Sequence, residues 1–127
     1  MIDLANGIVR VAKELNIHPN YTFEDFKKTS FYKKQDSSRV VYLDGQQVID
    51  EKKYIVSIFF RNGKIYMLSL ICCNIEYSEM DEKKRKDLHD EILKQYGVMG
   101  EKEFVWGRVI SDYDARGNCS SINFLYF

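Results

Sequence analysis

Two apolar runs meet across Asn62-Gly63: KYIVSIFF from Lys53 and KIYMLSLICCNI from Lys64. Asn-Gly flanked by such runs is a strong hairpin signal, because a two-residue turn of this kind needs positive φ at its central positions. The pattern predicts antiparallel strands over Lys53 to Phe60 and Lys64 to Ile75. With a two-residue loop, Phe60 should face Ile65, Ile58 should face Met67 and Val56 should face Ser69. On the other side Phe59 should meet Tyr66, and Ile55 should meet Leu70. Both sides are largely apolar, which places the pair mid-sheet and covered, at least in part, on both faces.

The rest of the chain is less uniform. Ile8, Val11, Ala12 and Leu15 recur at helical spacing, so residues 3–16 read as a helix capped by Asp3 and ending near Asn16. Thr22-Phe-Glu-Asp25 resembles a capping box and predicts a helical turn over 23–28. Residues 29–38 are polar and loop-like apart from Phe31 and Tyr32. Arg39 to Leu43 reads as a strand, with Asp44-Gly45 as a hairpin turn and Gln46 to Asp50 as its return.

A second helix is expected over Ser78 to Tyr96, started by Ser78 and Asp81 and stopped by Gly97. Leu88, Ile92 and Tyr96 form its expected buried stripe. Glu79–Lys83, Glu82–Lys86 and Asp90–Lys94 are possible exposed pairs. Glu103 to Ser111 and Cys119 to Phe127 are the last expected strands. The fold class that follows is α+β: one domain over 1–127, with a mostly antiparallel sheet of four to six strands. An N-terminal helix and the second helix, about 78–96, should pack on that sheet.

Composition narrows the function more than the fold. The 127 residues carry 19 basic and 19 acidic side chains. A general nucleic-acid binder needs a basic excess, so direct nucleic-acid binding is not expected. The charge is mildly segregated, with seven basic and five acidic residues in 1–42 against four and seven in 74–91. Charges break every apolar run, so neither a signal peptide nor a membrane span is expected, and the cytoplasm is the default location. Nine Tyr and eight Phe suit a β-rich core, and Tyr also suits binding surfaces.

No chemistry-bearing constellation stands out. Cys72, Cys73 and Cys119 are an odd set, and adjacent strand residues point to opposite faces, so neither a disulfide framework nor a metal site is expected. Cys119 with His89, oriented by Asp90 or Asp112, lacks the local signature of a nucleophilic pair. Gly97-Val-Met-Gly100 lacks the lysine of a phosphate loop. No catalytic residue, metal or cofactor is therefore assigned. The strongest candidates are for partner binding. Glu76, Glu79, Asp81 and Glu82 form the densest acidic patch, at a helix start. Asp112, Tyr113, Asp114 and Arg116 crowd an expected hairpin tip, the kind of loop on which recognition residues sit.

The block FVWGRVISDYDARGNCSSINF over residues 104–124, with the preceding hairpin and the Lys-rich helix, gives the whole chain a general organisation. It resembles small immunity proteins of bacterial contact-dependent inhibition and polymorphic toxin systems. The resemblance implies a compact cytoplasmic protein that binds one cognate toxin domain. It carries no motif residue by residue. Many proteins of that class are acidic, whereas this chain is neutral. Two other readings stand beside it: a small-ligand binder or enzyme using a pocket on the sheet, and a homo-oligomeric structural protein pairing through its aromatic C-terminal strand. The oligomeric state itself is left open by the sequence.

Overall fold

A computed structural model describes residues 1–34 and 39–127; residues 35–38 of the expected loop lie outside the described residues. The architecture is α+β, with antiparallel sheets throughout. The elements are β1 (Ile2–Asp3), β2 (Ile8–Ala12), β3 (Leu15–Ile17), α1 (Phe23–Lys27), β4 (Val40–Tyr42), β5 (Gln47–Ile49), β6 (Lys52–Arg61), β7 (Lys64–Cys72), a 3-10 turn (Glu79–Asp81), α2 (Glu82–Gln95), β8 (Glu101–Phe104), β9 (Gly107–Asp114) and β10 (Cys119–Tyr126). β1, β2 and β3 form a three-stranded sheet; the other seven form the main sheet, in the order β4-β6-β7-β10-β9-β8 with β5 also on β6.

The expected helix over 3–16 is not formed; that segment is the three-stranded sheet. Its sequence satisfies two periods at once, and the alternation Val9–Val11 and Leu15–Ile17 prevails. Val9, Val11, Leu15 and Ile17 are buried while Arg10 is exposed. β-branched residues favour this outcome, and distant partners complete it. The indole Nε1 of Trp106 donates to the Leu4 carbonyl at 2.7 Å, and the Tyr126 hydroxyl donates to the Gly7 carbonyl at 2.9 Å. Trp106 packs so closely on Gly7 that an added Cβ would lie 2.5 Å from the indole Cδ2.

The central hairpin is present, and both its strands lie inside the sheet. Phe60 faces Ile65 as expected, but the register then shifts. Phe59 faces Met67, Ile58 faces Leu68, Val56 faces Leu70 and Ile55 faces Ile71. The irregularity falls opposite Tyr66. Such a bulge adds one residue and moves every following side chain to the other face. Here it turns Leu68, Leu70 and Cys72 inward beside Ile58, Val56 and Tyr54. The hairpin is covered on one face, while the other face carries half-exposed side chains.

Three further expectations are corrected. β4 and β5 do not pair across Asp44-Gly45; both pair with β6, as two pieces of one interrupted edge strand. The strand expected over Glu103 to Ser111 is a hairpin, β8–β9, that turns at Val105-Trp106. Gly107 permits that turn, since a Cβ there would sit 1.9 Å from the Leu125 carbonyl oxygen. The C-terminal strand β10 lies between β7 and β9, so it has no free edge through which a second chain could pair.

The helices follow their end signals more closely. Thr22 and Asp25 form a reciprocal capping box at the start of α1. At the end of α2 the Gly97 and Val98 amides donate to the Lys94 and Leu93 carbonyls, a Schellman closure. The stripe of α2 is rotated from the expected one: His89, Ile92 and Leu93 are buried, and Leu88 and Tyr96 pack at its margin. The charges pair mostly at a spacing one residue shorter than expected, as Asp81–Lys84, Glu82–Arg85 and Glu91–Lys94, with Lys86–Asp90 at four residues. One core runs through both sheets, α1 and α2. No helix among the described residues is long and apolar enough to cross a membrane.

Candidate functional site

The start of α2 and the tip of the β9–β10 hairpin, far apart in sequence, adjoin in space. The hairpin tip is braced internally. The Asp114 carboxylate accepts from the Arg116 amide at 3.1 Å, and the Tyr113 hydroxyl donates to Asn118 Oδ1 at 2.8 Å. Asn118 has φ of 49°, a conformation that Asn tolerates better than most residues. Its Nδ2 then donates to the Glu79 carbonyl at 2.8 Å. Lys83 Nζ stands 5.8 Å from the Tyr113 ring centroid, within cation–π range.

A second tie lies just behind. The β7–β10 ladder stops at Leu70↔Ile122, and two residues further on α2 supplies hydrogen-bond partners to both strands. The Ser120 amide donates to Glu82 Oε2 at 3.1 Å, and the Ser120 hydroxyl donates to the Glu82 carbonyl at 3.1 Å. Across the gap, Arg85 donates to the Cys72 carbonyl, and the Cys72 amide donates to His89 Nε2 at 3.0 Å. Glu82 and Arg85 close the bridge at 3.0 Å. Buried backbone groups need partners, so this polar strip locks helix and sheet together where the strands part.

The expected residues therefore sort into different roles. Glu76 and Glu79 are exposed carboxylates. Asp81 is tied to Ser78 and Lys84. Glu82 is an internal strut, half-buried in the strip. Tyr113 faces the α2 side, opposite Ser120, whereas Asp112 and Asp114 leave from the other face, opposite Ser121 and Cys119. Arg116 is exposed at the tip. The corner beside the start of α2 thus brings Glu79 and Lys83 to the hairpin tip that carries Tyr113, Asp114 and Arg116, whereas Glu76 lies towards the end of β7, beside Ile55, Ile71 and Tyr77.

Sequence reasoning missed Met80, which is 95% exposed between the two helix-start acids. Its signal was present: a large apolar residue on the charged side of a helix start. It also missed Asn118 and Ser120 as bridges, because their partners are 39 and 38 residues away.

The remaining chemistry is inward-facing. His89 is 0% exposed and its Nε2 is engaged by Cys72, so it is not poised beside Cys119. Burial, reinforced by Arg85, lowers its pKa from 6.5 to about 4. The imidazole is therefore neutral, and its Nδ1 has no partner among the described residues. Burial raises the thiol pKa values of Cys72 and Cys119, the latter helped by Glu82. All three thiols are unpaired. Among the described residues no cluster of three or more His, Cys, Asp and Glu could hold a metal. Set against protein-family models, curated proteins and solved structures, the chain matches none.

Proposed function

We propose that the chain is a protein-binding module of the immunity type, which occludes a cognate toxin domain in the cytoplasm. The partner is met by the corner where α2 starts and the β9–β10 tip rests on it. The observation that carries this reading is the exposed Met80 between Glu79 and Asp81, mounted on a corner braced by Asn118 and Ser120. Interfaces of this kind combine an apolar or aromatic anchor with charges that steer encounter and select the partner. Met80 and Tyr113 are the anchors. Glu76, Glu79, Asp112 and Asp114 supply the charge and suit a basic patch on the partner. The general resemblance to immunity proteins sets the class of partner.

The test is capture by tagged protein, mass-spectrometric identification of what copurifies, and titration of that partner. Glu76→Lys with Glu79→Lys, and separately Met80→Ala, should keep the native circular dichroism spectrum. At least one should weaken binding tenfold or more. Glu82 is left intact, because its removal would open the helix–sheet strip and confuse folding with binding. Two folded variants that bind as tightly as the parent would overturn the assignment.

A further inference from the structure

The Asn62-Gly63 turn lies at the end of the main sheet remote from the α2 corner, about 25 Å away along β7. It sets two cations against each other. Arg61 and Lys64 are direct cross-strand partners, and both are exposed. Their side chains therefore leave the same face, with Cβ atoms about 5 Å apart. Like charges placed directly opposite in a sheet are destabilising. On β9 the exposed Arg108 is answered by Glu101 at 2.7 Å. Neither Arg61 nor Lys64 makes an ion pair among the described residues. A local rule broken without compensation inside the fold points to function.

The surroundings suit a particular anion. The Arg61 guanidinium lies 4.5 Å from the Tyr66 ring centroid, and Phe59 packs edge-on against that ring at 6.1 Å. A guanidinium stacked on a ring still presents its planar N–H fork, which matches phosphate and carboxylate geometry. Clefts open on both sides of the stack. One, of about 370 Å³, adds Lys64 and Phe127 to Arg61, Asn62 and Tyr66; the other, of about 460 Å³, adds Arg39. No acidic side chain among the described residues lines either cleft. A phosphate seated between Arg61 and Lys64 removes their repulsion, and its charge of nearly two and three acceptor oxygens serve both cations better than a carboxylate does. The rings suit a base, since bases stack on Tyr and Phe faces and on guanidinium planes. Phe127 is 79% exposed beside the cleft. The zero net charge of the chain is no obstacle, because one phosphate needs a local pair of cations and not a basic surface.

We propose that this turn end of the sheet binds a nucleotide, with its phosphate between Arg61 and Lys64 and its base against the rings of Tyr66 and Phe127. A free nucleotide and a single strand offer the same chemistry. Two-dimensional NMR titration of the whole chain at low salt tests it, with adenosine monophosphate, adenosine, octadeoxyadenylate and an octaglutamate peptide as probes. Adenosine monophosphate should bind saturably, with the amides from Arg61 to Tyr66 shifting most, and adenosine should bind at least tenfold more weakly. An octanucleotide that binds more tightly than the monophosphate assigns the site to a strand, and one that does not assigns it to the free nucleotide. Arg61→Gln and Lys64→Gln should each weaken binding of the monophosphate at least fivefold. Without ligand, Lys64→Gln should unfold in urea no earlier than the wild type, because it removes a repulsion; a purely structural lysine would give the opposite result. No saturable shift by about 10 mM monophosphate, adenosine or the peptide binding as tightly as the monophosphate, undiminished affinity in either variant, or an earlier unfolding of Lys64→Gln would each overturn the proposal.

Discussion

Between pH 7 and pH 5 the unfolded chain takes up a proton at His89 that the native chain refuses. In the native state the imidazole is 0% exposed, and its Nε2 must stay unprotonated to accept from the Cys72 amide. Burial and then Arg85 lower its pKa from 6.5 to about 4. A depressed histidine pKa means that the unfolded state binds more protons throughout the interval between the two values. Stability is therefore full above the unfolded value, falls as the pH drops, and levels off below the folded value. The shift of 6.5 to about 4 corresponds to about 3 kcal/mol in total, at 1.36 kcal/mol per unit, of which about 2 kcal/mol is lost by pH 5.

Stopping at pH 5 keeps the carboxylates largely out of the measurement. The lowered pKa values of Asp50 and Glu14 make their own contribution below that, as the pH falls through the carboxylate range. Urea unfolding at pH 7 and pH 5 should show the wild type losing about 2 kcal/mol. His89→Gln offers the Cys72 amide an uncharged acceptor, so its stability should change far less over the same range, whatever its level at pH 7. An equal loss in both proteins, or no loss in the wild type, would refute the assignment of this pH dependence to His89.

Two further outcomes follow from the packing. Gly107→Ala places a Cβ against the Leu125 carbonyl oxygen and should destabilise the chain by more than about 2 kcal/mol, read by thermal or urea unfolding. Denatured protein prepared without reductant should titrate three thiols; in the native protein Cys72, fully buried in β7, should react last with an aromatic disulfide reagent. Fewer than three thiols, or a fast Cys72, would contradict the structure.

Elements whose signals lie within a few residues of one another were legible. Asn62-Gly63 marks its hairpin because positive φ at both positions is a local demand. Thr22 and Asp25 cap α1, and Gly97 closes α2, by hydrogen bonds that span a single turn. The α+β class follows from these pieces and from the short steps between strands. Periodicity alone could not choose between helix and strand over 3–16, since Ile8, Val11, Ala12 and Leu15 fit one period while Val9, Val11, Leu15 and Ile17 fit the other. Trp106 and Tyr126 favour the strands by bonding Leu4 and Gly7 from 102 and 119 residues away.

The register beyond Phe60 was likewise undetermined locally. Either phase of Lys64 to Cys72 presents apolar residues, and only the bulge opposite Tyr66 brings Leu68, Leu70 and Cys72 to the core. The candidate surface shows the same division. Acidic residues at a helix start and polar residues at a hairpin tip can be read from the chain. Their meeting depends on Asn118 reaching Glu79, and on Glu82 and His89 taking backbone bonds that β7 and β10 leave open where they diverge. Such bonds join residues across a fold, and the chain order alone does not say which ends of its elements will touch.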